Sequence, residues 1–175
     1  MPADRRVCNT TNKQMKLIHT ITSLSFLALS FGAIAAEEDN EKPVKLDELP
    51  AAVVKAIKAA SGDAKITSLV REKDDDVEAV EATWDVKGKR HEVVVGLDGK
   101  VLCREEVIDL ADAPEPVRTA IAKAANGKKV KQVEKGVEKG KTFYEAQVAT
   151  DKGTLEVKLD AKGKELEREE GDEKD

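Results

Sequence analysis

An internal repeat constrains this chain more than any other feature. When the sequence is aligned with itself at an offset of sixty-four residues, residues 46–66 fall on residues 110–130 without a gap. The same register aligns the phrase DGKVLCREE, which begins at Asp98, with KGKELEREE, which begins at Lys162. Most solenoid units repeat every 20 to 50 residues or so, and this period is longer. The chain is therefore predicted to contain two copies of one small domain.

Each copy has the pattern of one helix followed by antiparallel strands. Pro50 and Pro114 suit the first turn of a helix, and apolar residues follow them at helical spacing. Behind each helix, apolar and polar residues alternate between turns such as Asp98-Gly99, which predicts half-buried strands. We predict an α+β fold of two tandem copies, each one helix packed on a four-stranded antiparallel β-meander in two layers. The copies should pack together, because one unit of this size is marginally stable alone.

The N-terminal residues have the pattern of an export signal. An apolar run from Ile21 to Ile34 follows Lys16 and ends in small residues, and it is too short to span a bilayer as a helix. Met15 is the predicted true start. We predict a signal peptide over 1–36, a disordered linker over 37–43, repeat 1 over 44–107, repeat 2 over 108–170 and an acidic tail over 171–175. The mature protein is expected in the bacterial periplasm or outside the cell, without stable membrane insertion.

Charge and cysteine content narrow the function further. The whole chain has a net charge of −5, and removal of the signal would remove four basic residues but only one acidic residue. Such a surface disfavours nucleic acid as a partner. Removal of Cys8 would leave Cys103 as the only cysteine, so no internal disulfide is expected, and an intermolecular one stays open.

The helix, the strands and the closing phrase together resemble the β-lactamase-inhibitor-like, PepSY-like domains of exported bacterial proteins. Leu49-Pro50 matches the family's helix start, Tyr144-Glu145-Ala146 its Y-E-V strand, and residues 98–102 its closing strand. The resemblance covers about residues 44–170. It implies a non-enzymatic domain that binds or restrains other proteins, with exported peptidases or cell-wall enzymes as possible targets.

Few residues offer chemistry. His91 replaces an inward-facing leucine of the other copy, so it is predicted to be a core or rim residue rather than a base. Cys103 is predicted to lie on the outer side of the sheet as a reachable thiol. The run Asp74-Asp75-Asp76 lacks the spacing of a calcium loop and suits a hairpin tip. No catalytic residue, cofactor or metal site is predicted.

The phase of the strands assigns alternate side chains to the sheet face opposite the helices. Trp84, Tyr144, Leu102 and Leu166 are predicted to point towards the helices, and their neighbours away from them. The alternative hypothesis is an envelope protein that responds to a solute or a divalent metal through this acidic face. The residues predicted to bind a protein partner are Glu81, Thr83, Asp85, Glu92, Val94, Val101, Cys103 and Glu105 in the first copy, and Glu145, Gln147, Glu156, Lys158, Glu165 and Glu167 in the second.

Overall fold

The structure is a computed structural model that describes residues 41–74 and 77–172. Its elements follow the predicted order of a helix and then strands, repeated once. Short 3-10 turns at Leu46–Glu48 and Leu110–Asp112 lead into the helices. The elements are β1 (Glu41–Pro43), α1 (Ala51–Ser61), β2 (Ile66–Asp74), β3 (Val77–Val86), β4 (Lys89–Gly96), β5 (Val101–Ile108), α2 (Glu115–Ala125), β6 (Val130–Glu138), β7 (Lys141–Ala149), β8 (Gly153–Asp160) and β9 (Glu165–Asp172).

All strands of the described residues belong to one antiparallel sheet. The sheet has nine strands in the order of the sequence, β1 to β9. The two copies join where β5 pairs with β6, in a register that places Cys103 opposite Glu138 and Ile108 opposite Val133. The predicted α+β class is confirmed. The predicted four-stranded sheet of each copy is not matched, because the strands of the two copies form a single sheet to which β1 adds a further strand.

Both helices pack on the same face of this sheet. Val53 and Ile57 of α1 are fully buried against β3 and β4, and Val117 and Ile121 of α2 against β7 and β8. On β5, Arg104 pairs with Val93, which belongs to the core under α1. Ile108 lies four residues further along the same strand and packs against the core under α2. Residues an even number apart on a strand share a face. The helices therefore leave the opposite face of the sheet, called the outer face below, without a described helix.

The repeated closing phrase has a structural reason. Gly99 and Gly163 adopt positive φ angles of +85° and +77° in the turns before β5 and β9. A Cβ on Gly163 would lie 2.4 Å from the carbonyl oxygen of Pro116, and one on Gly99 would lie 2.8 Å from the Cβ of Ala52. Each turn therefore lies directly against the start of its helix. Only glycine can adopt a positive φ angle there and also leave room for the helix backbone.

A β-bulge recurs in both copies and shifts the closing strands. The register changes between Val94 and Val95 in the first copy and between Lys158 and Leu159 in the second. Each bulge leaves one extra residue on the partner strand, which is a leucine in both copies. Leu102 therefore packs on the outer face, and Leu166 is 54% exposed. The prediction that both leucines point towards the helices was wrong.

Two short stretches at the limits of the described residues form strands that the sequence analysis did not predict. Glu41–Pro43, inside the predicted disordered linker, forms β1 and pairs with β2. The acidic stretch up to Asp172 continues β9. The predicted signal peptide, Asp75 and Asp76 of the predicted hairpin tip and residues 173–175 lie outside the described residues. Neither helix of the described part is long and apolar enough to cross a membrane.

Candidate protein-binding face

The structure places twelve of the fourteen predicted binding residues on the outer face. Strand pairing sets Glu81 opposite Val94, and Val94 opposite Cys103. The remaining pairs continue the same face across β3 to β5 and β7 to β9. The residues placed there are Glu81, Thr83, Asp85, Glu92, Val94, Cys103 and Glu105 of the first copy, and Glu145, Gln147, Glu156, Lys158 and Glu167 of the second.

Val101 and Glu165 lie on the opposite side of the sheet from the position predicted for them. Val101 packs against the core under α1. Glu165 pairs with Leu159 of the second core, and its pKa is lowered by Arg168, which donates two hydrogen bonds to it, and by Lys123 of α2. Each precedes the extra residue of a bulge, so simple alternation from the rest of the strand gives the wrong face.

The centre of the outer face is apolar and buried. Ala79, Val94, Cys103 and Phe143 form one buried cluster. The Phe143 ring lies over Gly136, where a Cβ would approach the ring to 2.1 Å. Cys103, the cysteine within the described residues, is fully buried and is not a free thiol. The prediction of a reachable thiol at this position was wrong.

Five carboxyl groups on adjacent strands surround this apolar centre, and we call them the carboxylate cluster. Each of the strands β3 to β7 contributes one, and four of them are at most 7% exposed. The sequence analysis did not predict that these side chains would be buried. The cluster consists of Glu81, Glu92, Glu105, Glu134 and Glu145.

Within the described part of the chain, two cations lie beside the cluster, and both already have acidic partners. Arg90 donates a 2.6 Å hydrogen bond to Glu134 across the junction of the two copies. Lys158 lies 3.4 Å from Glu138, and its ammonium group is 4.0 Å from the centre of the Phe143 ring. Counting the described residues alone, acidic groups therefore outnumber basic groups at the cluster.

Burial and mutual repulsion change the acidity of the cluster. Burial, followed by repulsion from Glu81, raises the pKa of Glu92 from 4.5 to about 8, although Arg90 opposes the change. Burial, followed by repulsion from Glu92, also raises the pKa of Glu105 well above its usual range. At neutral pH the centre of the outer face therefore retains protons on carboxyl groups.

One carboxyl oxygen of the cluster has no hydrogen-bond donor among the described residues. Oε2 of Glu92 is buried without a partner in this part of the chain, and so is Nε of Arg71 on β2. An unsatisfied buried polar atom is unfavourable, and such atoms are uncommon in native proteins. Glu92 therefore has an acceptor oxygen that no donor of the described residues satisfies.

Sequence reasoning missed several residues that shape this face, among them an arginine, two glutamates and a phenylalanine. Arg90, Glu134, Glu138 and Phe143 were not predicted to belong to it. Arg90 lies two residues from Glu92 on β4, so strand alternation alone could have identified it. Which side chains of β6 lie on the outer face depends on how β6 pairs with β5 of the other copy, and no local sequence pattern specifies that pairing.

His91 lies on the helix side of the sheet, as predicted for a core or rim residue. Its ring stacks on Trp84 at a centroid distance of 6.1 Å, beside a cavity of about 220 Å³ that Ala60 of α1 also lines. His91 and Cys103 therefore lie on opposite faces of the sheet and cannot form a nucleophile–base pair. Within residues 41–74 and 77–172, no group of three or more potential ligands is placed to hold a metal ion.

Comparison with known families gives one match over most of the chain. The family described as "putative beta-lactamase-inhibitor-like, PepSY-like" matches residues 34–93 and 99–167. The first matched segment contains α1, and the second contains β5 and α2. Among curated proteins, no match was found.

Solved structures from Bacteroides share the fold. A "putative periplasmic" protein of Bacteroides eggerthii is similar with a TM-score of 0.57 at 17% identity, covering 69% of this chain and 88% of that one. A DUF2874 family protein of Bacteroides uniformis has a TM-score of 0.56 at 16% identity, with the same coverage. A BLIP-like protein of Bacteroides fragilis has a TM-score of 0.53 at 19% identity, covering 73% of this chain and 92% of that one. At these identities the likeness shows the fold.

Proposed function

The chain belongs to the β-lactamase-inhibitor-like, PepSY-like family, and on this basis we propose that it is an exported, non-enzymatic module that binds another protein through its outer face. Export is supported by the predicted signal peptide and by the description of the Bacteroides eggerthii relative as putatively periplasmic. The partner is an exported protein such as a peptidase or a cell-wall enzyme.

The observation that carries this proposal is the continuity of the outer face. Nine strands about 4.8 Å apart, most of them about eight residues long, give a face of roughly 38 by 26 Å. That is on the order of 1,000 Å², and a standard protein–protein interface buries about 800 Å² on each partner. One partner of ordinary size can therefore be held by this face alone.

The anchors on this face differ from those of an aromatic-rich interface. Among the described residues, the outer face has one Phe, Tyr or Trp side chain, that of Phe143, and it is buried against Gly136. Trp84 and Tyr144 belong to the two helix-side cores. Recognition therefore depends on charged and polar side chains around an apolar centre, which favours specificity and association rate over hydrophobic anchoring.

A capture experiment with two matched variants tests the proposal. The outer-face variant carries Gln147→Arg and Glu156→Lys, at half-buried positions of β7 and β8. The control carries Thr119→Arg and Glu115→Lys on the exposed side of α2, which changes the charge by the same amount.

Immobilised wild type and control should capture the same exported protein from an envelope extract of the native organism, and the outer-face variant should not. Equal capture by the outer-face variant would contradict the proposal. So would loss of capture by the control alone, or the absence of any specific protein with the wild type.

A further inference from the structure

We propose that the carboxylate cluster is a receptor for one cationic side chain, the guanidinium of an arginine or the ammonium of a lysine, that the partner inserts beside Glu92 and Glu105. This inference rests on the proposed function, because it names the chemistry of the group that the outer face receives. It adds a specific point of contact at the centre of that face.

Acidic groups predominate at the centre of the outer face. The cluster contains five carboxyl groups on five adjacent strands, and among the described residues two cations lie beside it. Arg90 is held by Glu134, and Lys158 is shared between Glu138 and the Phe143 ring. An additional positive charge would meet several carboxyl groups in a poorly solvated place, where electrostatic attraction is stronger than in water.

An unsatisfied carboxyl oxygen lies at the proposed receptor. Glu92 is 3% exposed, and its Oε2 accepts no hydrogen bond from any residue that the structure describes. Glu105 lies directly opposite it on β5. Side chains directly opposite in an antiparallel pair are about 5 Å apart at Cβ. One planar guanidinium has several N–H donors and can bridge two carboxyl groups at such a spacing.

A side-chain cation suits the site better than a bare metal ion does. A calcium ion needs six to eight oxygen ligands or so at roughly 2.4 Å, supplied from converging directions. The cluster is instead spread over five strands, and no grouping suited to a metal is found in the described part of the chain. Guanidinium and ammonium groups are larger and accept a looser arrangement of acceptors.

Protons on buried carboxyl groups offset part of the negative charge of the cluster. The charged and titratable groups that face Glu92 on the outer face are Glu81 of β3, Arg90 of β4, Glu105 of β5, Glu134 of β6, Glu145 of β7 and, beyond these, Lys158 of β8. The pKa of Glu92 is raised to about 8, so this carboxyl is largely protonated at pH 7. Binding of a cation must then release a proton. The affinity for the cation therefore depends on pH in the range from 6 to 8, where carboxylates with ordinary pKa values are already ionised.

The probe is an acetylated and amidated tri-arginine peptide, titrated into the protein at pH 6, 7 and 8 and 150 mM salt. Binding is followed by NMR, which measures the dissociation constant and identifies the shifted residues. The test variant is Glu92→Gln. The matched control is Glu115→Gln, which removes one exposed carboxylate from α2 on the other side of the sheet.

For the wild type and the control, affinity should rise about tenfold between pH 6 and pH 7, where one proton is displaced, and continue to rise towards pH 8. Glu92→Gln should weaken binding at pH 8 about tenfold, the effect of one charged hydrogen bond, and flatten the pH dependence. A Glu105→Gln variant with the same behaviour would support the receptor if Glu92→Gln changed the fold.

The proposal would be contradicted if the affinity for the peptide were independent of pH, or equal for the wild type and Glu92→Gln. Either result would indicate general attraction of the peptide to an acidic surface. The proposed function is tested separately, because protein capture through the outer face can succeed even when the tri-arginine peptide gives this contrary result.

Discussion

Replacing Glu92 by glutamine should stabilise the protein at neutral pH. The substitution keeps the size of the side chain but removes an acid that the fold buries among other acids. In the folded chain this carboxyl binds its proton more tightly than in the unfolded chain. The stability associated with it is therefore fully present below pH 4.5 and is lost as the pH rises towards about 8.

The magnitude follows from the two pKa values. At pH 7 an unfolded glutamate is ionised, whereas Glu92, with a pKa of about 8, keeps its proton in the folded protein. Keeping that proton costs about 3 kcal/mol at pH 7, from about 1.4 kcal/mol for each pH unit between the ordinary pKa and pH 7. Neighbouring carboxyl groups share the titration, so this figure is an upper bound.

The assay is thermal and urea unfolding of the wild type, Glu92→Gln and the exposed control Glu115→Gln at pH 4 and pH 7. At pH 7 Glu92→Gln should raise the free energy of unfolding by up to about 3 kcal/mol, and the melting temperature by several degrees. At pH 4 Glu92→Gln should match the wild type. The control should lose at most about 1 kcal/mol at pH 7, because Glu115 lies in the first turn of α2, where a negative charge is favourable. A destabilised Glu92→Gln, or an effect of equal size at pH 4 and pH 7, would refute the reasoning.

Two further predictions concern glycines. Gly136→Ala should lower the free energy of unfolding by about 1–3 kcal/mol, because the new Cβ meets the Phe143 ring. In a Phe143→Ala background the same substitution should cost much less. Urea unfolding of the double-mutant cycle measures both costs, and additive costs would contradict the contact. Gly163→Ala should destabilise more than Gly140→Ala, because both have positive φ but only the former also approaches the backbone of α2; equal losses in melting temperature would mean that the turn does not support the helix.

The sequence predicts those parts of the fold that depend on local patterns. The helices begin within one residue of the positions that Pro50 and Pro114 indicate, because a helix start depends on neighbouring residues. Alternation also places Glu81, Glu92 and Glu145 on the correct face. Local order is therefore readable from this chain.

The parts that could not be predicted depend on contacts between distant residues. The bulges next to Val94 and Lys158 reverse the face of Val101 and Glu165 without any glycine or proline to indicate them. The pairing of β5 with β6 brings Glu134 beside Arg90, forty-four residues earlier in the chain. The buried carboxylate cluster results from this pairing, so no single segment of the sequence reveals it.

Site-specific photo-crosslinking tests the central claim that the outer face holds the protein partner. A benzoylphenylalanine group is placed at Gln147 or Glu156 on the outer face, or at the exposed Lys58 or Lys123 on the helices, and each protein is irradiated in envelope extract. Crosslinks to one exported protein from the two outer-face positions, and none from the helix positions, are the predicted result. Crosslinks to that protein from Lys58 or Lys123, with none from Gln147 and Glu156, would contradict the account.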